Sequence, residues 1–306
     1  MPSRFLFFTL FFAVVGFGPV IGRAGAAPGT LRVVATTSII ADWARIVGGD
    51  DIDVNTLVGP NGDPHEFEPA PADSISLSQA DLIFENGLGL ENWLDKLYSS
   101  AQSPAKRIVV TDGIEVRHAP AHENENSDDR DPHAWQNVAD AAVMVGNIRD
   151  ALEAADPGHS ADYKSRAAGY IKQLNELDAW ARDQINSIPA AHRKLVTSHD
   201  AFGYFGDRYG LDISRSALES VTTEAADPSA RQIADVVDQI KASGVPVIFL
   251  ENIQNPKLID QIASEANVKV GPPLYSDALG QPGTDGDTYI KMIRYNVQTI
   301  VKALSE

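Results

Sequence analysis

The 306-residue chain is 43% hydrophobic and 22% charged and contains no cysteine, an ordinary globular composition that excludes a disordered, collagen-like or multi-span membrane protein. Without a thiol there can be no disulfide, thiolate metal site, cysteine nucleophile or lipid-bearing N-terminal cysteine. Its 42 Asp and Glu against 25 Lys and Arg give a formal charge of −17, which argues against a nucleic-acid surface and identifies no ligand by itself.

Arg4, the apolar run Phe5 to Ile21 and the small residues Ala24-Gly25-Ala26 have the three-part layout of a secretory signal over residues 1–26. The run is near the lower bound of a membrane span, about 17 residues. Gly16, Gly18 and Pro19 interrupt it and a cleavage site follows directly, so cleavage is expected rather than anchoring. No later stretch approaches ~18 apolar residues, and the mature chain is expected to be soluble.

Beyond the signal, β-rich runs alternate with helical patterns. Strands are predicted over Leu31–Ala35, Ile52–Leu57, Leu82–Phe84 and Arg107–Val110, with helices over Ile39–Val47 and Ser74–Ala80. A helix over Val138–Ala155 is halted by Asp156-Pro157-Gly158. Ser160 is the expected N-cap of the next helix. There Tyr163, Ala167, Tyr170, Ile171, Leu174, Leu177, Ala181, Ile185 and Ile188 recur mostly at steps of three and four, until Pro189 ends the pattern. Such a helix would span roughly 40 Å. It is either an ordinary surface helix or a stiff strut between two lobes with a ligand cleft between them. Strands Leu195–Thr197, Val245–Leu250 and Val268–Val270 follow. The expected fold class is α/β: two α/β lobes with parallel sheets (27–158 and 190–306) joined by one long rigid helix (159–189).

Three of the seven histidines sit in unusual contexts. Asp63-Pro64-His65 lies in a Gly/Pro-rich loop after a strand. Asp131-Pro132-His133 closes an acidic loop and opens a helix. His199 closely follows the strand Leu195–Thr197, and Asp277 lies in the loop after Val268–Val270. Ligands collect at the carboxyl ends of strands in open α/β sheets. Proline restrains the backbone before His65 and His133, which lowers the ordering cost of binding. Three neutral imidazoles and a carboxylate suit tetrahedral zinc. A loop histidine is equally a surface residue, a cap or part of a hydrogen-bond network, and spacing alone leaves both readings open.

His118 and His122 lie among Glu115, Glu123, Glu125, Asp128 and Asp129, read as a solvated loop or as a weak metal-capture loop. Glu251, at the end of a hydrophobic strand, is an acceptor for a ligand imidazole or a helix cap. His-Glu-x-x-His, Gly-x-Ser-x-Gly and Gly-x-x-x-x-Gly-Lys-Ser/Thr are missing. Gly87-Leu88-Gly89 begins like a dinucleotide loop but lacks the third glycine.

Taken in order, several stretches resemble the zinc- and manganese-type solute-binding proteins of ABC importers, the ZnuA/TroA-like family. They are Gly59-Pro60 with Asp63-Pro64-His65-Glu66-Phe67-Glu68-Pro69; Asn86-Gly87-Leu88-Gly89-Leu90-Glu91-Asn92-Trp93-Leu94; Asp131-Pro132-His133-Ala134-Trp135; and Ser198-His199-Asp200-Ala201-Phe202-Gly203-Tyr204-Phe205, followed by Asp277. The resemblance covers almost the whole mature chain. It implies two lobes on one long helix and an interlobe metal site of His65 and His133 from the first lobe and His199 and Asp277 from the second. It implies a periplasmic, non-enzymatic, monomeric protein that captures Zn2+ and delivers it to the permease and ATPase of an importer, with a metallochaperone as a further partner and no nucleic acid. Two departures matter. The loop before the second ligand is not His-rich, and manganese members usually carry Glu where His199 stands. A third imidazole favours zinc, with Mn2+ the alternative. An exported zinc hydrolase and a metal-binding adhesin are the rival functions.

Overall fold

The computed structural model describes residues 30–118, 130–197, 199–213, 230–245, 247–253 and 256–305. The signal over 1–26, His122 and Ser198 lie outside the described residues.

The N-terminal sheet holds β1 (Leu31–Thr37), β2 (Ile52–Val58), β3 (Leu82–Glu85) and β4 (Lys106–Val109), all parallel, in the order β2-β1-β3-β4. Its crossovers include α1 (Ser38–Gly48), α2 (Pro71–Gln79) and α3 (Leu94–Ser100). In the C-terminal half, β5 (Lys194–Leu195) pairs with β6 (Asp212–Ile213), and β7 (Val247–Glu251) pairs with β8 (Lys269–Leu274), again in parallel. A bridge from Thr197 to Phe249 and the bond Phe249 N–H to Val196 O (3.0 Å) join the two pairs. The resulting order, β6-β5-β7-β8, repeats that of the first sheet. Helices α6 (Gly203–Tyr209), α7 (Ala230–Ser243), α8 (Pro256–Ala266) and α9 (Tyr289–Leu304) belong to this half.

Between the halves run α4 (Val138–Ala155) and α5 (Ser160–Asn186). Asn137 caps α4 by accepting the Ala139 N–H at 3.0 Å. The expected cap at Ser160 is not one: His159 occupies the N-cap position, and Ser160, the first helical residue, turns its hydroxyl to Glu153 (2.9 Å). Helix α5 ends at Asn186, before Pro189 and slightly short of the periodic pattern.

The apolar face of α5 places Tyr163, Ala167, Leu174, Leu177, Ala181 and Ile185 fully inside. They belong to one continuous core that includes Trp43 and Ile39 of the first half and Phe205, Phe249, Tyr289 and Met292 of the second. The long helix is therefore packed through the middle of the molecule rather than bare between two bodies. Two smaller cores lie outside it, one under α2 and α3 around Leu77 and Ile83, the other under α7 and α8 around Val236, Ile248 and Ile259. No helix of the described residues is long and apolar enough to cross a membrane. Because Leu174 is completely buried in the shared core, Leu174→Ala is expected to destabilise the protein by about 2–5 kcal/mol, read as a lower denaturation midpoint in urea.

Candidate metal centre

His65 lies in the loop after β2, His133 in the long connection after β4, His199 just after β5 and Asp277 just after β8. His65, His199 and Asp277 thus lie in loops at strand carboxyl ends, and His133, 24 residues beyond β4, is brought beside the end of β3, where Asn86 Nδ2 holds Pro132 O (2.9 Å). His65 Nε2 is 3.3 Å from His133 Nε2 and 3.4 Å from Asp277 Oδ2. His199 Nε2 lies 3.0 Å from that oxygen, and His133 Nε2 lies 3.7 Å from Asp277 Oδ1. One donor atom from each residue lies within 4.8 Å of all the others. His133, His199 and Asp277 are buried, whereas the His65 side chain is 36% exposed and forms the open edge.

Each Asp-Pro-His stretch closes a small turn in which the aspartate accepts the histidine main-chain N–H: Asp63 Oδ1 to His65 at 2.8 Å, Asp131 Oδ1 to His133 at 3.0 Å. Each intervening proline carbonyl is held by a distant side chain, Pro64 O by Trp93 Nε1 (2.8 Å) and Pro132 O by Asn86 Nδ2 (2.9 Å). Asp131 Oδ1 also meets His133 Nδ1 at 2.8 Å, and its other oxygen is paired with Arg117 at 2.9 Å. Arg117 crosses to α6, where it reaches Asp207 (3.0 Å). A Cβ at Gly203 would lie 2.3 Å from that guanidinium, so a larger residue there would have to displace the Arg117 side chain. His199 is held by Glu251, whose Oε1 accepts its main-chain N–H at 2.8 Å and whose Oε2 lies against Nδ1.

In all three rings the nitrogen nearest the cluster is Nε2, and in two of them Nδ1 faces a carboxylate, which puts the proton on Nδ1 and the lone pair toward the cleft. Burial opposes charge on His133, but Asp277 and Asp131 prevail and raise its pKa. Burial likewise opposes charge on His199, yet Glu251 and Asp277 hold its pKa well above the ordinary value. Asp277 is pushed up by burial and pulled well below the usual carboxylate range by the same imidazoles. Both its oxygens and His199 Nε2 are buried without a hydrogen bond of regular geometry. Buried polar atoms without a regular partner cost about 1–3 kcal/mol each, and a cation placed among these would satisfy all of them.

Across residues 33–303 the chain matches the family model described as "Zinc-uptake complex component A periplasmic". It belongs to that family. The manganese ABC transporter substrate-binding lipoprotein PsaA of Streptococcus mitis is 34% identical over 292 residues, covering 93% of each chain. The manganese-binding lipoprotein MntA of Halalkalibacterium halodurans is 35% identical over 276 residues, covering 90% of this chain and 89% of that protein. Among solved structures, the periplasmic zinc-binding protein TroA of Treponema pallidum superposes with a TM-score of 0.82 at 32% identity, covering 91% of this chain and all of that one. The Mn-bound periplasmic metal-binding protein of Candidatus Liberibacter asiaticus gives 0.78 at 28% identity, covering 90% and 100%. The relatives are named lipoproteins; this member of the zinc-uptake component A family has no cysteine to carry a lipid.

The Gly87-Leu88-Gly89 stretch has its own use. All three residues adopt positive φ, and the turn aims the N–H groups of Asn86 (2.7 Å) and Gly87 (3.1 Å) at the buried carboxylate of Glu91, which Thr36 also holds (2.7 Å). The loop cradles an anion belonging to the protein itself. Burial raises the Glu91 pKa to about 7. The roles of Arg117, Glu91 and Asn252 were not legible in the sequence; for Arg117 the available signal was a base at the start of the acidic loop, matched by Arg130 at its end. His118 bridges to Arg130 at the neck of its loop and is not part of the cluster.

The raised groups make a signed pH prediction. A folded metal-free protein holds protons on His133 and His199 more tightly than the unfolded chain does. That stabilisation is complete below about pH 6.5 and is lost as pH rises through the raised folded values. Ionising Glu91 acts in the same direction, and the depressed Asp277 matters only in strong acid. The metal-free thermal midpoint is expected to fall from pH 6 to pH 8. Zn2+ held by these imidazoles would displace those protons, so the increment it adds is expected to grow over the same interval in scanning calorimetry.

Proposed function

We propose that the protein captures Zn2+ with His65, His133, His199 and Asp277 and delivers it, in the periplasm, to the permease and ATPase of an ABC importer. The observation that carries this reading is the spacing of the donors. Zinc bonds of about 2.0–2.1 Å in a tetrahedron put neighbouring ligand atoms about 3.3 Å apart. Separations of 3.3 Å (His65 to His133), 3.4 and 3.0 Å (His65 and His199 to Asp277 Oδ2) and 3.7 Å (His133 to Asp277 Oδ1) lie near that edge, and the whole donor set fits within 4.8 Å, close enough for one ion to draw it together. The donor set is nitrogen-rich, and His199 supplies an imidazole where a manganese ion would gain from an oxygen. With four protein ligands no position is left for an activated water, so the bound ion is cargo rather than a reagent and the protein is not an enzyme.

In this reading 27–158 and 190–306 act as lobes on the link 159–189, the chain works as a monomer, and the exposed His65 edge is where the ion changes hands. Manganese is the second reading, favoured by the names of several relatives. The expected result is one Zn2+ per purified chain and competitive titration that ranks Zn2+ above Mn2+. Alanine at His65, His133, His199 or Asp277 is expected to weaken zinc by more than the about 10–100-fold typical of groups outside the ligand set. Protein without stoichiometric metal, or alanine variants that bind as wild type, would overturn the assignment. Loss of growth under zinc chelation in a strain lacking the chain, restored by zinc and not by manganese, would identify the cargo in the cell.

A further inference from the structure

Strand β7 offers no donor to the four-residue cluster, yet it lies between β5 and β8, whose loops carry His199 and Asp277. The two residues that leave it, Glu251 and Asn252, therefore emerge between those loops. Each of these two serves a different neighbour.

Glu251 holds His199 by both ring and main chain, while Thr197 Oγ1 donates to His199 O at 2.8 Å. Asn252 brackets Asp277: its Oδ1 accepts the Ser276 N–H (3.2 Å) and its Nδ2 donates to Ala278 O (3.2 Å). The same Nδ2 donates across the cleft to Asn61 Oδ1 at 2.9 Å, and the Asn252 N–H is anchored on Leu274 O at 2.9 Å. We propose that Glu251 and Asn252 are the positioning pair for the C-terminal half of the centre. Glu251 orients the His199 ring and keeps its Nε2 free for the ion, and Asn252 fixes the turn that presents Asp277.

The N-terminal sheet supports this from its corresponding strand. There β3 lies between β1 and β4 and also ends in Glu-Asn, Glu85-Asn86. Asn86 Nδ2 holds Pro132 O (2.9 Å), next to His133. Asparagine thus does the same task in both sheets, tying down the loop that follows the neighbouring strand. The glutamates differ: Glu85 is engaged by Arg107 of β4 at 2.9 and 2.5 Å, whereas Glu251 is directed at a candidate ligand. A carboxylate on Nδ1 makes the imidazole a stronger and better aimed ligand. Loosening either residue is expected to cost a tight four-coordinate ion more than one that accepts extra oxygens.

The inference rests on the capture reading above, so the test includes wild type and His199→Ala beside Glu251→Gln, Asn252→Asp and Asn252→Ala. Zinc and manganese affinities would be measured by chelator competition, the coordination sphere by the visible bands of bound Co2+, and folding by metal-free thermal unfolding. The expected result is an about 10–100-fold loss of zinc affinity in each pair variant, a smaller loss for manganese, and weakened or shifted Co2+ bands in whichever variants unfold at the wild-type midpoint. The near-isosteric changes at both positions guard against simple misfolding. Zinc affinity and Co2+ bands equal to wild type in Glu251→Gln and Asn252→Asp would overturn the positioning roles while leaving capture intact. A wild type without zinc, or His199→Ala binding as tightly as wild type, would instead remove the capture reading itself.

Discussion

The buried charge of Asp277 constrains the rest of the molecule. A carboxylate with 1% exposure is tolerated only where partners neutralise it, because stripping its water costs several kcal/mol. Its partners are three imidazoles that come from three other segments of chain. Asp131 and Glu251 add two more buried carboxylates directly behind two of those rings, and Arg117 answers one of them. This excess of negative charge is what two imidazolium protons or one dication can balance. In the proposed capture the site exchanges one form of compensation for the other; its electrostatics favour neither an anion nor a neutral ligand.

Holding such a cluster together requires the two sheets to be fixed relative to each other, and the fold achieves this in two ways. The continuous core through α1, α4, α5 and α9 ties the two halves together. Hydrogen bonds then cross the cleft close to the cluster. Trp135 Nε1 and Gln136 Nε2 both donate to Ser276 O, Leu279 N–H donates to Ser38 Oγ, and Asn61 N–H donates to Leu279 O. Asp277 belongs to the C-terminal half by sequence, yet its loop is bonded to the N-terminal half on either side. Farther back, Asp42 of α1 accepts the Tyr289 N–H at the start of α9 (3.0 Å), and Tyr289 Oη donates to Trp135 O (2.6 Å). Movement of one half would have to break polar contacts as well as slide apolar ones.

The family's sequence motifs acquire separate physical duties in this arrangement. Prolines stiffen two histidine turns, Trp93 and Asn86 hold the proline carbonyls, and the turn at Gly87 points the Asn86 and Gly87 N–H groups at Glu91. Most of these residues never touch the cleft. In the proposed capture they hold the imidazoles in place beforehand, which keeps the ordering cost low.

Local pattern in the chain was enough to determine the alternation of strands and helices, the extents of α4 and nearly all of α5, and which histidines lie at strand ends. Periodicity and turn chemistry are short-range and leave their mark in a few consecutive residues. The same pattern misplaced the cap at Ser160 and overlooked the two-residue β6, where few residues carry any signal. It could not choose between ligand and bystander for any one histidine, nor between acceptor and cap for Glu251, and resemblance to a family narrowed that choice only by analogy. Those questions turn on distances between segments far apart in sequence. Only the packed sheets set His65 within 3.4 Å of Asp277, 212 positions away along the chain, because the identity of a through-space neighbour is decided by tertiary packing and not by the residues on either side.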